Sequence, residues 1–249
     1  MTLQKDIFVC FDIEATGLDP EKDRIIEIGA VKFTFSETLD VFDYLIDPCI
    51  PIPDETIKIH HITNEMVFGK PKIEEILPKF FSFIGNYPIV GHGMSFDLEI
   101  LKETSKRLNI TNPIPSRRLI DTLRLARLYG ESPSNSLETL RAHFNIPFEG
   151  AHRALNDVIV NIKVFKQLSR RFKTTNELLT RLKRPIPMKA MPLGKHKGRP
   201  FREIPIEYLI WAAKQNFDQD LLFSIRSEIK KRKQIKSFSQ AGNPFEGLL

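Results

Sequence analysis

Ile7-Phe8-Val9-Cys10-Phe11 is an unbroken apolar run rich in β-formers, and it predicts a buried strand that Asp12-Ile13-Glu14 prolongs. A turn follows at Thr16-Gly17-Leu18-Asp19-Pro20. Arg24 to Phe33 and Thr38 to Ile46 predict two more strands, giving an antiparallel meander of three. Beyond it the period lengthens. Ile73 to Phe83 has helical spacing, Tyr87 to His92 reads as a short strand, and Asp97-Leu98-Glu99-Ile100-Leu101 opens a helix. Leu119 to Thr122 predicts a strand end leading into a helix over Leu123 to Tyr129. Ser136 is placed to cap another helix, and Arg153 to Phe172 predicts the longest one. Strands first, then strands alternating with helices, imply an α/β fold: a mixed sheet with helices packed on it.

Pro185, Pro187 and Pro192 interrupt this pattern and mark a boundary. A helix with Pro205 in its first turn and a second over about Asp220 to Gln234 follow. The expected organisation is a domain over 1–175, a linker over 176–190, a small basic module over 191–236 and a flexible tail over 237–249.

A hydrophobic fraction of 41% over 249 residues suits a globular chain with a real core. No apolar run approaches the roughly 20 residues that span a bilayer. The first residues show no basic region, long apolar stretch or cleavage site, so no signal peptide is expected. Cys10 and Cys49 are the only cysteines and lack a metal-ligand spacing, which points to a reducing compartment, the cytoplasm; with no spanning segment, no membrane partner is expected. The net charge of +6 and pI near 9.2 favour polyanionic partners. Acids gather in the first half, while Lys and Arg become dense after about Arg170.

The chemistry is carried by carboxylates. Asp12 and Glu14, two apart in a strand, project from one face where an apolar strand emerges. Their repulsion is costly unless a cation or hydrogen bonds offset it, and hard divalent ions prefer carboxylate oxygens. The alternative is a turn-capping Asp12 and a solvated Glu14. In Gly91-His92-Gly93-Met94-Ser95-Phe96-Asp97 a strand stops, a glycine loop follows, and Asp97 stands at a helix start, where it also suits a first-turn acid. In Gly150-Ala151-His152-Arg153-Ala154-Leu155-Asn156-Asp157, His152 and Asp157 are five apart. They face a common site if His152 lies in the loop and Asp157 one turn inside the helix; the alternative is a surface or capping histidine.

Together, Phe11-Asp12-Ile13-Glu14-Ala15-Thr16-Gly17-Leu18, Arg24 to Val31, Gly91 to Asp97 and Ala151 to Asp157 resemble the motifs of the DEDDh exonucleases. That family includes the proofreading subunit of bacterial DNA polymerase III, RNase T and oligoribonuclease. Asp121-Thr122-Leu123-Arg124-Leu125-Ala126-Arg127 and Ile59-His60-His61-Ile62-Thr63 match too, and the likeness covers about residues 5–172. The resemblance implies a ribonuclease-H-like mixed sheet flanked by helices and 3′→5′ hydrolysis to nucleoside 5′-monophosphates. It implies two Mg²⁺ or Mn²⁺ ions held by Asp12, Glu14, Asp97 and Asp157, with Asp97 acting mainly through water. His152 would be the general base, a role that suits an imidazole titrating near neutrality. Thr16, Gly17 and Leu18 would hold the terminal nucleotide, and His60 and Phe96 would line its pocket; for Leu18 and Phe96 the alternative is core packing. The family loop usually has Asn where this chain has Gly93.

Met191 to Phe201 and Ile204 to Trp211 resemble a module found after some exonucleases of exonuclease X type. Gly194 and Gly198 permit a tight loop on which Lys195, Lys197 and Arg199 can meet phosphates, with Tyr208 or Trp211 stacking on bases. The alternative is a small aromatic core with solvated lysines. Gln234-Ile235-Lys236-Ser237-Phe238 faintly resembles peptides that dock on sliding clamps, and the alternative is a disordered basic tail. DNA is the expected substrate, in proofreading or repair and with a replicase as a candidate partner. An RNA 3′-end trimming enzyme and a catalytically silent end-binding module are the rivals.

Overall fold

The structure is a computed structural model that describes residues 2–116, 118–129, 134–147 and 153–240. The chain divides into two compact units, Met1–Leu182 and Lys183–Leu249. The first is built on strands β1 (Phe8–Ala15), β2 (Ile25–Phe33), β3 (Thr38–Leu45), β4 (Ile89–Gly91) and β5 (Leu119–Asp121). They form one sheet in the order β3-β2-β1-β4-β5, antiparallel through the meander and parallel from β1 to β5. Its helices are α1 (Asp54–His60), α2 (Asn64–Val67), α3 (Ile73–Ile84), α4 (Ser95–Leu108), α5 (Thr122–Tyr129), α6 (Leu137–His143), α7 (Ala154–Leu168) and α8 (Thr175–Leu182). The expected mixed sheet flanked by helices, of ribonuclease-H type, is the fold observed.

Alternation along β1 decides which face does what. Val9, Phe11, Ile13 and Ala15 join the core that also holds Ile76, Leu77 and Phe80 of α3 and Ile100 and Leu101 of α4. Phe8 and Cys10 face α7: the Phe8 and Phe165 rings lie 5.2 Å apart edge-on, and Asn161 Nδ2 meets Cys10 Sγ at 3.5 Å. Asp12 and Glu14 continue this second row, so the period of two delivers both acids to the helix that carries Asp157. Close packing of α7 on β2 needs Gly29. A Cβ there would come within 2.5 Å of the Leu155 backbone nitrogen. Helix α7 stops at Leu168, short of the expected Phe172, where the Ser169 hydroxyl donates to the Phe165 carbonyl. Ser136 does cap α6, accepting from the Thr139 N–H.

The second unit holds α9 (Ile206–Ala212) and α10 (Gln219–Gln240). Its core is Met191, Phe201, Ile204, Leu209, Ala212, Leu221 and Ile225. The expected linker over 176–190 differs from the structure in its first part and is held in place in its second. Residues 176–182 lie in α8 of the first unit. Farther on, the N–H groups of Ile186 and Met188 donate to Asp220 Oδ1 at 3.0 Å and Ser224 Oγ at 2.8 Å. The prolines on either side offer no N–H, and α10 satisfies those that remain. The tail expected over 237–249 is helical as far as Gln240; residues 241–249 lie outside the described set. Gln234 to Phe238, the clamp-peptide candidate, likewise falls within α10. Among the described residues, no helix is long and apolar enough to cross a membrane.

Candidate active site

Asp12, Glu14 and Asp157 converge. Each offers a carboxylate oxygen, and these oxygens lie within 4.8 Å of one another. All three residues are half-buried, so the oxygens are poorly hydrated yet reachable by a small cation. The electrostatic cost is plain. Burial pushes the Asp12 carboxyl well above the usual range, and the charges of Asp97, Glu14, Asp157 and Glu27 push it further. Burial raises Glu14 to about 8, helped by Asp157, Glu27 and Asp97 and opposed by Arg153. Asp97 is buried at the start of α4 and is raised to about 7, mainly by desolvation. It stands outside the trio, although its charge is the largest single electrostatic influence on Asp12. Three converging hard oxygen donors with one opposing guanidinium are the donor set that divalent cations fill. His152 lies outside the described residues.

The clamp that fixes Asp157 was not anticipated. Glu27 is fully buried in β2, directly across from Glu14. Its carboxylate accepts from Arg153 Nε at 2.9 Å, from Arg153 Nη2 at 2.7 Å and from the Ala154 N–H at 2.8 Å. This ties the first turn of α7 to the sheet one turn ahead of Asp157. The sequence did contain a signal: a lone acid within Ile25-Ile26-Glu27-Ile28, where an unpaired charge is prohibitively costly.

The turn after β1 is organised by Asp23. Thr16 is buried, and its hydroxyl donates to Asp23 Oδ1 at 2.8 Å while accepting the Arg24 N–H at 3.0 Å. Its backbone is engaged as well, the N–H donating to the Arg24 carbonyl at 2.9 Å and the carbonyl accepting the Thr56 hydroxyl at 3.2 Å, so Thr16 braces the turn and leaves the partly exposed Gly17 and the exposed Leu18 as the surface that can meet a ligand. A Cβ at Gly17 would come within 2.5 Å of the Asp23 carboxylate, so a larger residue would displace the group that organises this turn. Leu18 is 86% exposed, which removes core packing as its explanation. Phe96 is half-buried against the sheet core, and packing does account for part of it. His60 is buried, its Nδ1 accepting the Ile62 N–H at 3.0 Å.

The loop between β4 and α4 is held by Asp121, at the end of β5. Asp121 Oδ1 accepts the N–H groups of Gly93 and Leu123, each at 2.9 Å. Gly93 has φ 65°, a left-handed conformation that Asn also tolerates, which explains why glycine can stand at the usual Asn position. His92 Nδ1 meets Thr122 Oγ1 at 2.9 Å, and burial lowers the His92 pKa against the opposing charge of Asp121. In the second unit, Lys195, Lys197 and Arg199 are all exposed on one short loop.

Residues 9–165 match the RNase T family model, described as exonuclease. Residues 179–228 match a second family model whose name refers to a quorum-sensing-regulated virulence factor. The chain is 38% identical over 164 residues to the PolC-type DNA polymerase III of Clostridium perfringens and 40% identical over 159 residues to that of Thermotoga petrophila. These matches cover 65% and 64% of this chain but only 11% of each polymerase. Among solved structures, exonuclease X in complex with 5′-overhanging duplex DNA aligns with TM-score 0.56 and 24% identity, covering 70% of this chain and 98% of that one. Escherichia coli exonuclease I with a dA16 oligonucleotide aligns with TM-score 0.61 and 20% identity, covering 72% and 43%. At those identities the structures speak for the fold, but the family model spans well over half of the chain, and the chain belongs to the exonuclease family.

Proposed function

We propose that this protein is a 3′→5′ DNA exonuclease that uses two divalent cations, Mg²⁺ or Mn²⁺, and releases nucleoside 5′-monophosphates. The observation that carries the reading is the trio of carboxylates from β1 and α7, with oxygens within 4.8 Å, at the heart of an exonuclease domain. Asp12, Glu14 and Asp157 would hold the cations, with Asp97 alongside. When bound, the ions supply charge neutralisation at the phosphate and activation of water. His152 would take the proton from the attacking water. The backbone at Gly17, with Thr16 bracing the turn, would position the terminal nucleotide, and Leu18, with His60 and Phe96 lining the pocket, would pack against its base. DNA is preferred because the relatives are DNA polymerases and the aligned exonucleases were solved with DNA. Proofreading or repair in the cytoplasm, beside a replicase, is the setting this favours.

The test is digestion of matched single- and double-stranded DNA and RNA labelled at the 3′ or the 5′ end, with Mg²⁺, Mn²⁺ or chelator. Expected is early loss of the 3′ label as a mononucleotide, from DNA faster than RNA, and none in chelator. Release from the 5′ end, or cleavage indifferent to chelator, would defeat the reading.

A further inference from the structure

The two units differ sharply in charge. Residues 1–182 carry 23 Lys and Arg against 25 Asp and Glu, a net −2, while residues 183–249 carry 14 against 6, a net +8. The unit with the acidic cluster thus has no overall attraction for a polyanion, and the second unit holds the whole positive excess. Among the described residues, part of that excess holds the second unit together. Arg232 bonds Glu228 and the carbonyls of Phe201 and Ile204, and Arg202 lies near Glu203. Lys195, Lys197 and Lys214 are exposed and have no ion-pair partner among the described residues.

The loop bearing the first two is built, not loose. The Met191 N–H bonds the Arg199 carbonyl at 3.0 Å, and the Gly198 N–H bonds the Met191 carbonyl at 2.8 Å. Gly194 and Gly198 turn the chain with φ of 72° and 82°. His196 points inward, buried, its ring 4.5 Å from that of Tyr208 and nearly perpendicular, with Arg199 Nη1 3.4 Å from its Nδ1. Arg199 is thus partly engaged in shaping the loop. Tyr208 in turn lies 5.3 Å from Trp211, which is 52% exposed. A continuous row of rings therefore joins the lysine loop to an open indole. Farther along the same unit, Arg226, Lys230 and Lys233 border an open cleft of about 580 Å³, and Arg226 Nη2 reaches the Ala213 carbonyl, two residues beyond Trp211.

We propose that this face is a binding site for single-stranded DNA, with Trp211 stacking on a base and Lys195 and Lys197 on the flanking phosphates. Cations interleaved with an exposed aromatic ring match the alternation of phosphate and base in an unpaired strand. An acidic protein surface would engage the lysines and leave the indole without a role. The exonuclease reading enters only in the choice of DNA, and binding is measured without metal, so one can fail while the other stands.

Trp211 is the chain's only tryptophan, so its fluorescence reports on this site alone. The full chain in chelator is titrated with a dT16 oligonucleotide across a salt series, with rU16, a dT16·dA16 duplex and heparin as comparisons. Expected is quenching of the indole by dT16, with weaker binding of the duplex. In Lys195→Glu/Lys197→Glu, affinity drops and the slope of log K against log salt shrinks by about 1.4, the share of two single-strand phosphates. In Trp211→Ala, followed by anisotropy of a labelled oligonucleotide, affinity falls about 5- to 100-fold with the salt slope unchanged. All three residues are exposed, Trp211 by about half, and an unchanged circular dichroism spectrum and melting temperature of each variant checks that the fold is kept. An indole indifferent to saturating dT16, equal quenching by heparin, tighter binding of rU16 than dT16, or an unaltered salt slope in the double variant would overturn the proposal.

Discussion

Glu14 makes the energetic logic of the site measurable. Its carboxyl is raised from 4.5 to about 8, so near neutral pH the metal-free folded protein retains a proton that the unfolded chain has released. Its contribution to stability is fully present below about pH 4.5 and is lost as pH rises towards 8. At about 1.4 kcal/mol for each pH unit in which only one state is ionised, Glu14 alone removes about 1.5 kcal/mol between pH 6.5 and 8. Asp97, raised to about 7, removes a little under about 1 kcal/mol over the same interval. Asp12 acts in the same direction. His92, its pKa lowered by burial, acts in the opposite sense as the unfolded imidazole gives up its proton around pH 6.5, and offsets only a small part of this loss.

Urea unfolding of the chelator-treated protein, followed by circular dichroism at pH 6.5, 7.25 and 8, should show a loss of about 2–3 kcal/mol across that range. Glu14→Gln mimics the protonated side chain in shape and removes the charge. It should lose about 1.5 kcal/mol less across the range and exceed the parent in stability at pH 8. Saturating Mn²⁺ should restore the parent at pH 8 and restore the variant less, since the cation replaces the proton as counter-charge. Metal-free stability that is level or rising from pH 6.5 to 8, or an identical slope in Glu14→Gln, would refute the reasoning.

Two further substitutions test the geometry and the base. Gly29→Ala places a Cβ 2.5 Å from the Leu155 nitrogen and 2.6 Å from the Ala154 carbonyl carbon. It should cost about 1–3 kcal/mol and, by lifting Asp157 from its partners, weaken calorimetric Mn²⁺ binding at least about tenfold; unchanged Mn²⁺ affinity would show that α7 packing does not set the cluster. His152→Ala should lower turnover by about 10²–10⁴ with Mn²⁺ affinity and melting temperature preserved. Undiminished turnover removes the imidazole from the mechanism.

What the sequence made legible is what the chain's own periodicity controls. A period of two put Asp12 and Glu14 in one row with Phe8 and Cys10, and the end of the apolar run marked where that row opens to a ligand. Asp157 was legible as one turn inside α7. What escaped depends on partners far along the chain. Glu27 and Arg153 are 126 residues apart, and nothing local to β2 says which cation will meet its buried acid. Gly29 reads as an ordinary strand glycine until a helix backbone crosses it. The proline segment reads as a linker because each proline removes a donor, and only α10 reveals that the remaining donors are satisfied. The misreadings share one cause: a buried polar group or a close backbone contact is a demand for a partner, and local pattern states the demand without naming what meets it. A lone acid in an apolar strand is therefore best treated as evidence of an unseen cation. Glu27 is such a case: the acid in β2 demands a cation, and the first turn of α7 brings one from 126 residues away.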